Sequence, residues 1–530
     1  MKKYIIGMGL FVLVAGSFSS CKKELEEKYT NPEKSTTASI PGFFTAMLNN
    51  DRVAAKYWNV RTFLSIGPGV YAQTSYFSNG NTVYQQNDGY TQQYWDDFYS
   101  PGGNGSGSMA QYRSMEVAYN EAPDGEKATK EIFMHAGKVV LIEQAAKMVD
   151  LWGDIPYTEA GSLPTNSTIT LPKYDDQQAL YTSFIADLKT AATYFKNAQS
   201  TAEFAKYDIL LSGSVDKWAR YANSLRLRLL MRISNVDEST ARTEALAMLN
   251  DPANFPLVDG GDIAAYNPRA TDILLSPLTN SVSTLVDAFK EGSWYATDYM
   301  LNKVMLPAND PRIPVIYDKG SKTVNGRLVQ NPTFLAMPYN FTTAQQESSF
   351  ADYALVDSAT FLLNASLPGI LITASEVNFL KAEAQERWGS TAAAKTAYDL
   401  ALKQSVSFYY YLNNLNTSGI KTETLPAASV IQEFVESPSV AYATATNKLA
   451  NIYTQKWLHF GILQATEAWS EYRRTNTPAL LFVTTGKTSG FDVPPNRLIY
   501  PSGEKSYNSA NYAAVQAKDT RLNKIFWDVN

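Results

Sequence analysis

The stretch 375–405, SEVNFLKAEAQERWGSTAAAKTAYDLALKQS, carries the helical periodicity that decides the fold. Apolar residues of its first half recur at the spacing of one helix face, namely Val377, Leu380, Ala384 and Trp388. Ser375 is the expected N-cap of this helix, and Gly389 is expected to supply the turn at its end. The pattern therefore predicts an amphipathic helix followed by a sharp turn.

The second half of the stretch predicts a helix that packs closely on the first. Its buried face is expected to consist mostly of small residues, at Ala394, Ala397, Tyr398, Ala401 and Leu402. Small side chains let two helix backbones approach each other. The spacing from Gly389 to Ala394 and to the Ala401-Leu402 pair resembles the second half of a tetratricopeptide unit.

Similar periodicity recurs along the chain. Further helices are predicted at 128–151, 175–195, 214–234, 237–250 and, as one continuous helix, 447–475. The stretches between them, at about 45–125, 251–370 and 405–440, are rich in Tyr, Asn, Gly and Pro and are expected to be irregular. We therefore predict a mainly α fold, a tetratricopeptide-like helix-pair scaffold with long irregular loop insertions that carry the binding function.

The N-terminus predicts export and lipid anchoring. Lys2 and Lys3 precede an apolar run that is too short to span a bilayer but suits a secretory signal. The sequence FSSC, ending at Cys21, resembles a bacterial lipobox, and this is the one cysteine of the chain. The alternative is a free, buried cysteine in a soluble domain. The predicted organisation is a signal peptide at 1–20, a lipid-anchored tether at 21–45 and a single domain at 46–530.

Composition argues against several functions. The formal charge is −5, and loss of the two lysines of the signal peptide lowers it to −7, so nucleic acid is not an expected partner. Only two histidines are present, which leaves no histidine cluster for zinc, and no metal or cofactor is predicted. The sequence TTGKTSG is not a phosphate-binding loop, because Leu481 stands where that loop needs glycine.

Six strings along the chain together resemble the SusD/RagB family of surface nutrient-binding lipoproteins, in particular its SusD-like branch. They are DLWGDIPYTEA (150–160), WARYANSLRLRLLMRIS (218–234), NDPRIPVIY (309–317), ITASEVNFLKAEAQERWG (372–389), EAWSEYRRTNTP (467–478) and PPNRLIYPSGEKSYN (494–508). The resemblance implies an outer-membrane lipoprotein facing the cell exterior, which acts as the lid of a TonB-dependent, SusC-like transporter and binds an oligosaccharide or a peptide. It implies no cofactor.

The charged residues in these strings are expected to be structural. Arg226, Arg228 and Arg232 lie among leucines and are expected to bury their stems and pair with acids. Asp310 and Arg312 flank Pro311 in an expected turn, and Glu471, Arg473 and Arg474 are expected to form a partly buried ion-pair network near a helix end.

The ligand is expected to contact aromatic residues of the insertions, because aromatic faces pack on the C–H faces of sugar rings and amides pair with hydroxyls. Three segments supply candidates, at 71–99, 291–300 and 337–341. The candidate residues are Tyr76, Tyr84, Tyr90, Tyr94, Trp294, Tyr295, Tyr299, Tyr339 and Asn340.

Two other classes of function stay open at the level of sequence. A surface glycoside hydrolase would need two carboxylates about 5 to 10 Å apart in a cleft, and any two of the 51 acidic residues can meet in space. A helical-repeat adaptor that binds only protein would present a flat surface without exposed loop aromatics.

Cys21→Ala should release the protein from membranes without unfolding it, because acylation of this cysteine is the predicted anchor. The measurement is partition between membrane and soluble fractions, together with a thermal melt of the purified variant. Unchanged membrane partition would contradict the predicted anchor.

Overall fold

The computed structural model of the protein describes residues 39–76, 78–100, 107–162, 170–277, 285–292 and 294–530. The predicted signal peptide and Cys21 lie outside these residues. Within them, no helix is both long enough and apolar enough to cross a bilayer. The folded body begins earlier than the predicted boundary at residue 46, since the helix Ile40–Leu48 buries Phe44 completely. Ser39 starts this helix by accepting a hydrogen bond from the backbone N–H of Gly42.

Long helices stacked on one another form the scaffold. They are Asp124–Trp152, Gln177–Asn197, Val215–Arg232, Glu238–Asn250, Ala374–Trp388, Thr391–Asn414, Lys448–Phe460 and Ala465–Thr475. Their buried faces merge into one hydrophobic core. The predicted mainly α, tetratricopeptide-like fold is confirmed.

The central pair of helices, Ala374–Trp388 and Thr391–Asn414, packs as its small residues predicted, with Ala394 and Ala401 fully buried. The predicted N-cap was wrong by two residues. Thr373 Oγ1 accepts the hydrogen bond from the backbone N–H of Glu376, whereas Ser375 Oγ donates across the pair to the carbonyl oxygen of Ala401 at 2.8 Å. Ser375 therefore joins the two helices.

The predicted continuous helix at 447–475 is two helices, Lys448–Phe460 and Ala465–Thr475. The break occurs at Gly461, whose φ of +48° lies in the left-handed region that favours glycine. A Cβ at this position would come within 2.7 Å of the Tyr409 hydroxyl oxygen. Position 461 therefore requires glycine, because the neighbouring helix lies too close for a side chain. The chain turns at this residue.

The insertions contain more helix than their composition predicted. Asp88–Tyr99 and Ser108–Glu121 are helical within the predicted irregular segment at 45–125, and Thr391–Asn414 continues past residue 405. Asn87 begins the first of these helices, because its side chain accepts from the backbone N–H of Tyr90. The sequence of this segment did not indicate a helix, because it is polar and rich in tyrosine and lacks a clear apolar stripe.

The remaining described elements are short. The other α-helices are Pro68–Tyr71, Ala202–Tyr207, Pro268–Thr271, Leu285–Glu291, Ile313–Ile316, Thr343–Ser349, Ala428–Val435, Ser502–Tyr507 and Ser509–Tyr512. π-helices lie at Asn59–Leu64, Tyr299–Met305 and Ser358–Leu362, and 3-10 helices lie at Phe350–Asp352, Tyr442–Thr444 and Gln516–Lys518. Three antiparallel strand pairs join Ile273–Leu275 with Gly369–Ile372, Tyr317–Asp318 with Leu355–Val356, and Ser321–Val324 with Arg327–Gln330.

The predicted pairing of the helix arginines with acids is confirmed. Arg228 Nε and Nη2 bind the two oxygens of Glu376 at 2.5 and 2.8 Å, and Arg232 Nη2 lies 2.6 Å from Glu467 Oε2. Arg226 pairs with Glu244.

The residues that flank Pro311 form an ion pair that the sequence did not predict, and the expected network at 471–474 is present in part. Arg312 and Asp310 form a fully buried pair at 2.6 Å. Arg474 binds both Glu383 and Glu471, whereas Arg473 lies 3.8 Å above the Trp469 ring.

Ala394→Leu should lower the free energy of unfolding by about 1 to 3 kcal/mol, because the larger side chain overpacks the contact between the central helices. Ala393→Leu is the matched control, since Ala393 lies on the same helix but is exposed. Urea denaturation of both variants measures the difference. Equal stability of the two variants would contradict close packing at Ala394.

Candidate functional site

A cavity of about 250 Å³ lies between two of the insertions that sequence predicted to bind ligand. We call it the aromatic cavity. Its lining residues are Arg61, Ser65, Ile66, Tyr76, Ser78, Glu291, Gly292, Trp294 and Phe350. Three aromatic rings, one guanidinium and one carboxylate therefore meet in a space large enough for a sugar unit.

Short elements of irregular sequence place these side chains. The π-helix Asn59–Leu64 supplies Arg61, and the helix Leu285–Glu291 ends at the carboxylate that lines the cavity. Gly292 then lets the chain fold back, because a Cβ there would lie 2.2 Å from Trp294 Nε1. That indole N–H donates to the carbonyl oxygen of Ala288 at 3.2 Å, which fixes the ring.

The rings contact one another across the sequence. Tyr295 stacks on Phe350 with centroids 4.7 Å apart and planes 9° apart, and the ring of Tyr76 meets Tyr295 edge-on at 5.3 Å. The Tyr76 hydroxyl is buried and bonds to none of the described residues. Burial raises the pKa of Tyr76, so the phenol stays protonated and can donate to a ligand.

A second, smaller cavity of about 70 Å³ shares Tyr76 with the first and is also lined by Tyr84, Asp298 and Tyr339. The amide of Asn79 holds its walls together by donating to the carbonyl oxygens of Tyr339 and Phe341, each at 2.8 Å. This amide is therefore used inside the protein, contrary to the expectation that the loop amides serve ligand hydroxyls.

Lys487, from the sequence that resembles a phosphate loop, has a structural role beside this cavity. Its Nζ donates to the carbonyl oxygens of Asn79 and Gly80, at 2.8 and 3.0 Å. The lysine thus supports the loop that carries Tyr76.

Exposed aromatic residues form a rim beside the aromatic cavity. Trp58 is 41% exposed and Tyr90 is 39% exposed. Tyr57 packs edge-on against Trp58 at 4.9 Å and donates its hydroxyl to Glu291, which connects the rim to the cavity. The hydrogen bond to Glu291 is the main cause of a raised pKa of Tyr57, and Tyr90 contributes weakly.

Four of the nine predicted ligand residues line these cavities, namely Tyr76, Tyr84, Trp294 and Tyr339, and Tyr295 packs against the ring of Tyr76. Tyr90 lies on the exposed rim and Asn340 is exposed. Tyr299 packs instead against Trp457, with ring centroids 6.1 Å apart.

Three of the predicted residues are almost completely buried. Tyr84 and Trp294 are each only 4% exposed, so they support the cavity walls and offer no open platform. Tyr94 is equally buried, stacked on Phe63 at 3.8 Å with the Arg52 guanidinium over its ring. Sequence could not separate these rings from exposed ones, because packed loops and binding loops share the same composition.

Sequence reasoning missed five residues of the site, which are Tyr57, Trp58, Arg61, Glu291 and Phe350. The adjacent aromatics of KYWNVR (56–61) were a usable signal, and Glu291 is the first residue of the candidate segment 291–300, of which only the aromatic residues were selected. Phe350 gave no signal, since only the tertiary fold places it against Tyr295.

The described part of the chain places a single carboxylate in each cavity, Glu291 in the first and Asp298 in the second. It contains no group of three or more His, Cys, Asp or Glu residues arranged to hold a metal ion.

A larger cavity of about 350 Å³ is lined by Ala54, Leu275, Val286 and Leu367 among others, without an aromatic ring among its described lining residues. It borders residues outside the described part of the chain.

Trp294→Ala should lower the free energy of unfolding by about 3 to 5 kcal/mol, because it removes a buried ring from the cavity floor. Trp58→Ala, which removes an exposed ring, should change it by no more than about 0.5 kcal/mol. Chemical denaturation compares the two variants. Comparable destabilisation by both would contradict the assignment of one ring to the core and the other to the rim.

Solved structures with the same fold cover nearly the whole chain. A chitin-binding protein superposes with a TM-score of 0.74 at 23% identity, over 93% of this chain and 100% of that one. A chitin-binding SusD homologue from Flavobacterium johnsoniae gives 0.69 at 25% identity, over 93% and 99%. A SusD-like protein from Bacteroides thetaiotaomicron gives 0.69 at 19% identity, over 93% and 98%.

Comparison with curated proteins found no significant match. A comparison with protein families matched residues 34–501 to a SusD-like family described as "Starch-binding associating with outer membrane". This match spans most of the chain and includes the scaffold helices and both cavities. The protein therefore belongs to the SusD-like family.

Proposed function

We propose that the protein is a glycan-binding lipoprotein of the outer membrane, which captures an oligosaccharide at the aromatic cavity and its rim. The observation that carries this proposal is the convergence of aromatic rings from three distant segments on one cavity, at Tyr76, Trp294 and Phe350, beside the exposed Trp58. Aromatic faces hold neutral, hydroxyl-rich solutes through their C–H surfaces, and the polar edge of tyrosine adds hydrogen bonds.

The family description and two of the similar structures support a carbohydrate ligand. The family is described as starch-binding, and two of the similar solved structures are of chitin-binding proteins. The rings of this chain suit the same ligand class.

Binding without catalysis is part of the proposal. Hydrolysis of a glycosidic bond usually requires two carboxylates that flank the bond. Each cavity has one carboxylate among its described lining residues, and Glu291 accepts a hydrogen bond from Tyr57. This arrangement favours a binding protein over a glycoside hydrolase.

The proposed partner is a SusC-like, TonB-dependent transporter, on which the protein sits as a lid facing the cell exterior. The description of the family as associating with the outer membrane and the resemblance of the sequence ending at Cys21 to a lipobox support this location. A lid that closes over bound ligand needs only modest affinity, because the closed state holds the ligand beside the channel. The interface with the transporter should bury more than about 2,000 Å², as permanent complexes do.

A glycan array probed with the purified protein, followed by a panel of peptides, tests the ligand class. Binding to glycans without turnover is the expected result. Binding to peptides alone would replace the glycan with a peptide ligand, and cleavage of the bound glycan would support a hydrolase.

Trp58→Ala and Tyr295→Ala should each weaken binding of the glycan found on the array by about 1 to 3 kcal/mol, as truncation of interface aromatics does elsewhere. Tyr507→Ala is the matched control, because Tyr507 is an exposed tyrosine on the C-terminal helix Ser502–Tyr507, outside both cavities. Isothermal titration calorimetry measures the three affinities. Affinity equal to wild type in both site variants would place the binding site elsewhere.

A further inference from the structure

Arg61 is a cation without a partner inside the aromatic cavity. Its Nε is shielded from solvent and has no hydrogen-bond acceptor, and no ion pair joins its guanidinium to any residue that the structure describes. A shielded N–H without an acceptor is unfavourable, because it has lost water without gaining a partner, and the two Nη atoms of the same guanidinium stay accessible to a ligand. A negatively charged group of a ligand would supply the missing partner of Arg61.

Other arginines show that this arrangement is specific to the cavity. Buried arginines of the scaffold, such as Arg228 and Arg474, bind carboxylates with two nitrogens each. The remaining arginines whose side chains make no hydrogen bond to the described residues are Arg242, Arg269 and Arg327, and all three are exposed. Arg61 is half-buried and lines a cavity, so water solvates it less completely than these surface arginines.

Glu291 does not neutralise Arg61, although both line the cavity. The carboxylate is exposed to solvent and accepts a hydrogen bond from Tyr57. Solvent and salt screen an exposed charge more strongly than a shielded one. The guanidinium of Arg61 is therefore left without a carboxylate partner among the described residues of the cavity.

We propose that the aromatic cavity selects an anionic sugar, with the carboxylate or sulfate of one residue bound to Arg61 and the sugar ring packed among Tyr76 and Phe350. This inference rests on the proposed glycan-binding function and adds the class of glycan. Arginine suits both anions, because its planar donors match paired oxygens. The buried Ser65 lines the same cavity, and its hydroxyl donates a long hydrogen bond of 3.5 Å to the carbonyl oxygen of Arg61.

Two matched pairs of oligosaccharides test the proposal by isothermal titration calorimetry on the purified full chain. The first pair is tetragalacturonic acid and its methyl ester, and the second is a sulfated galactan tetrasaccharide and its desulfated form. The charged member of at least one pair should bind about ten- to a hundredfold more tightly than its neutral form. The pair that shows the preference identifies the anion as carboxylate or sulfate.

The Arg61→Gln variant should lose this preference while keeping the wild-type affinity for the neutral member, and Arg61→Lys should retain part of it. Arg242→Gln removes the same charge from an exposed site and should leave the preference unchanged. Equal affinity of wild-type protein for charged and neutral members, a preference that survives in Arg61→Gln, or failure to bind any of the four compounds would overturn the proposal. Equal, Arg61-independent binding of neutral glycans would overturn this inference alone and leave the proposed function standing.

Discussion

Buried, bidentate ion pairs between helices are the interactions on which the rest of the structure depends. Arg474 binds both oxygens of Glu383 at 2.7 Å each, and thereby fastens the helix Ala465–Thr475 to the central helix Ala374–Trp388. Lys456 reaches the same carboxylate from a third helix at 3.1 Å. Each charge has lost its water, so removal of any one partner would leave the others uncompensated in the core. The network fixes the helices in one arrangement.

The same network makes the scaffold dependent on ionised acids. Although burial opposes ionisation, Arg474 and Lys456 hold the pKa of Glu471 below its usual range. A carboxylate with a lowered pKa in the folded state contributes stability that is present above the usual carboxylate pKa and is lost as the pH falls toward the folded value. The protein should therefore keep its scaffold at neutral pH and lose stability in acid.

A scaffold fixed in this way leaves its insertions free to build a site from irregular segments. The aromatic cavity joins residues that lie far apart in sequence, from Arg61 to Phe350, and short elements fix each of them locally. Some of its aromatic rings are held by other rings and some by backbone carbonyl oxygens. Arg61 differs from this pattern, since the chain provides no partner for it among the described residues. That contrast separates groups that maintain the cavity from a group that is available to a ligand.

Sequence by itself determined the scaffold, because helical periodicity and small residues such as Ala394 and Ala401 are local patterns with a direct structural meaning. It also indicated the charged pairs, since arginines among leucines require buried acids. Only the tertiary structure decided which aromatics are accessible. Tyr90 and Tyr94 lie in one tyrosine-rich stretch, and Trp58 and Trp294 each adjoin a tyrosine, yet Tyr94 and Trp294 are buried whereas Tyr90 and Trp58 are exposed. The exposure of a side chain depends on which distant segments of the chain pack over it. The sequence next to Phe350 does not indicate its contact with Tyr295, and the sequence next to Arg61 does not indicate that its guanidinium lacks an ion-pair partner.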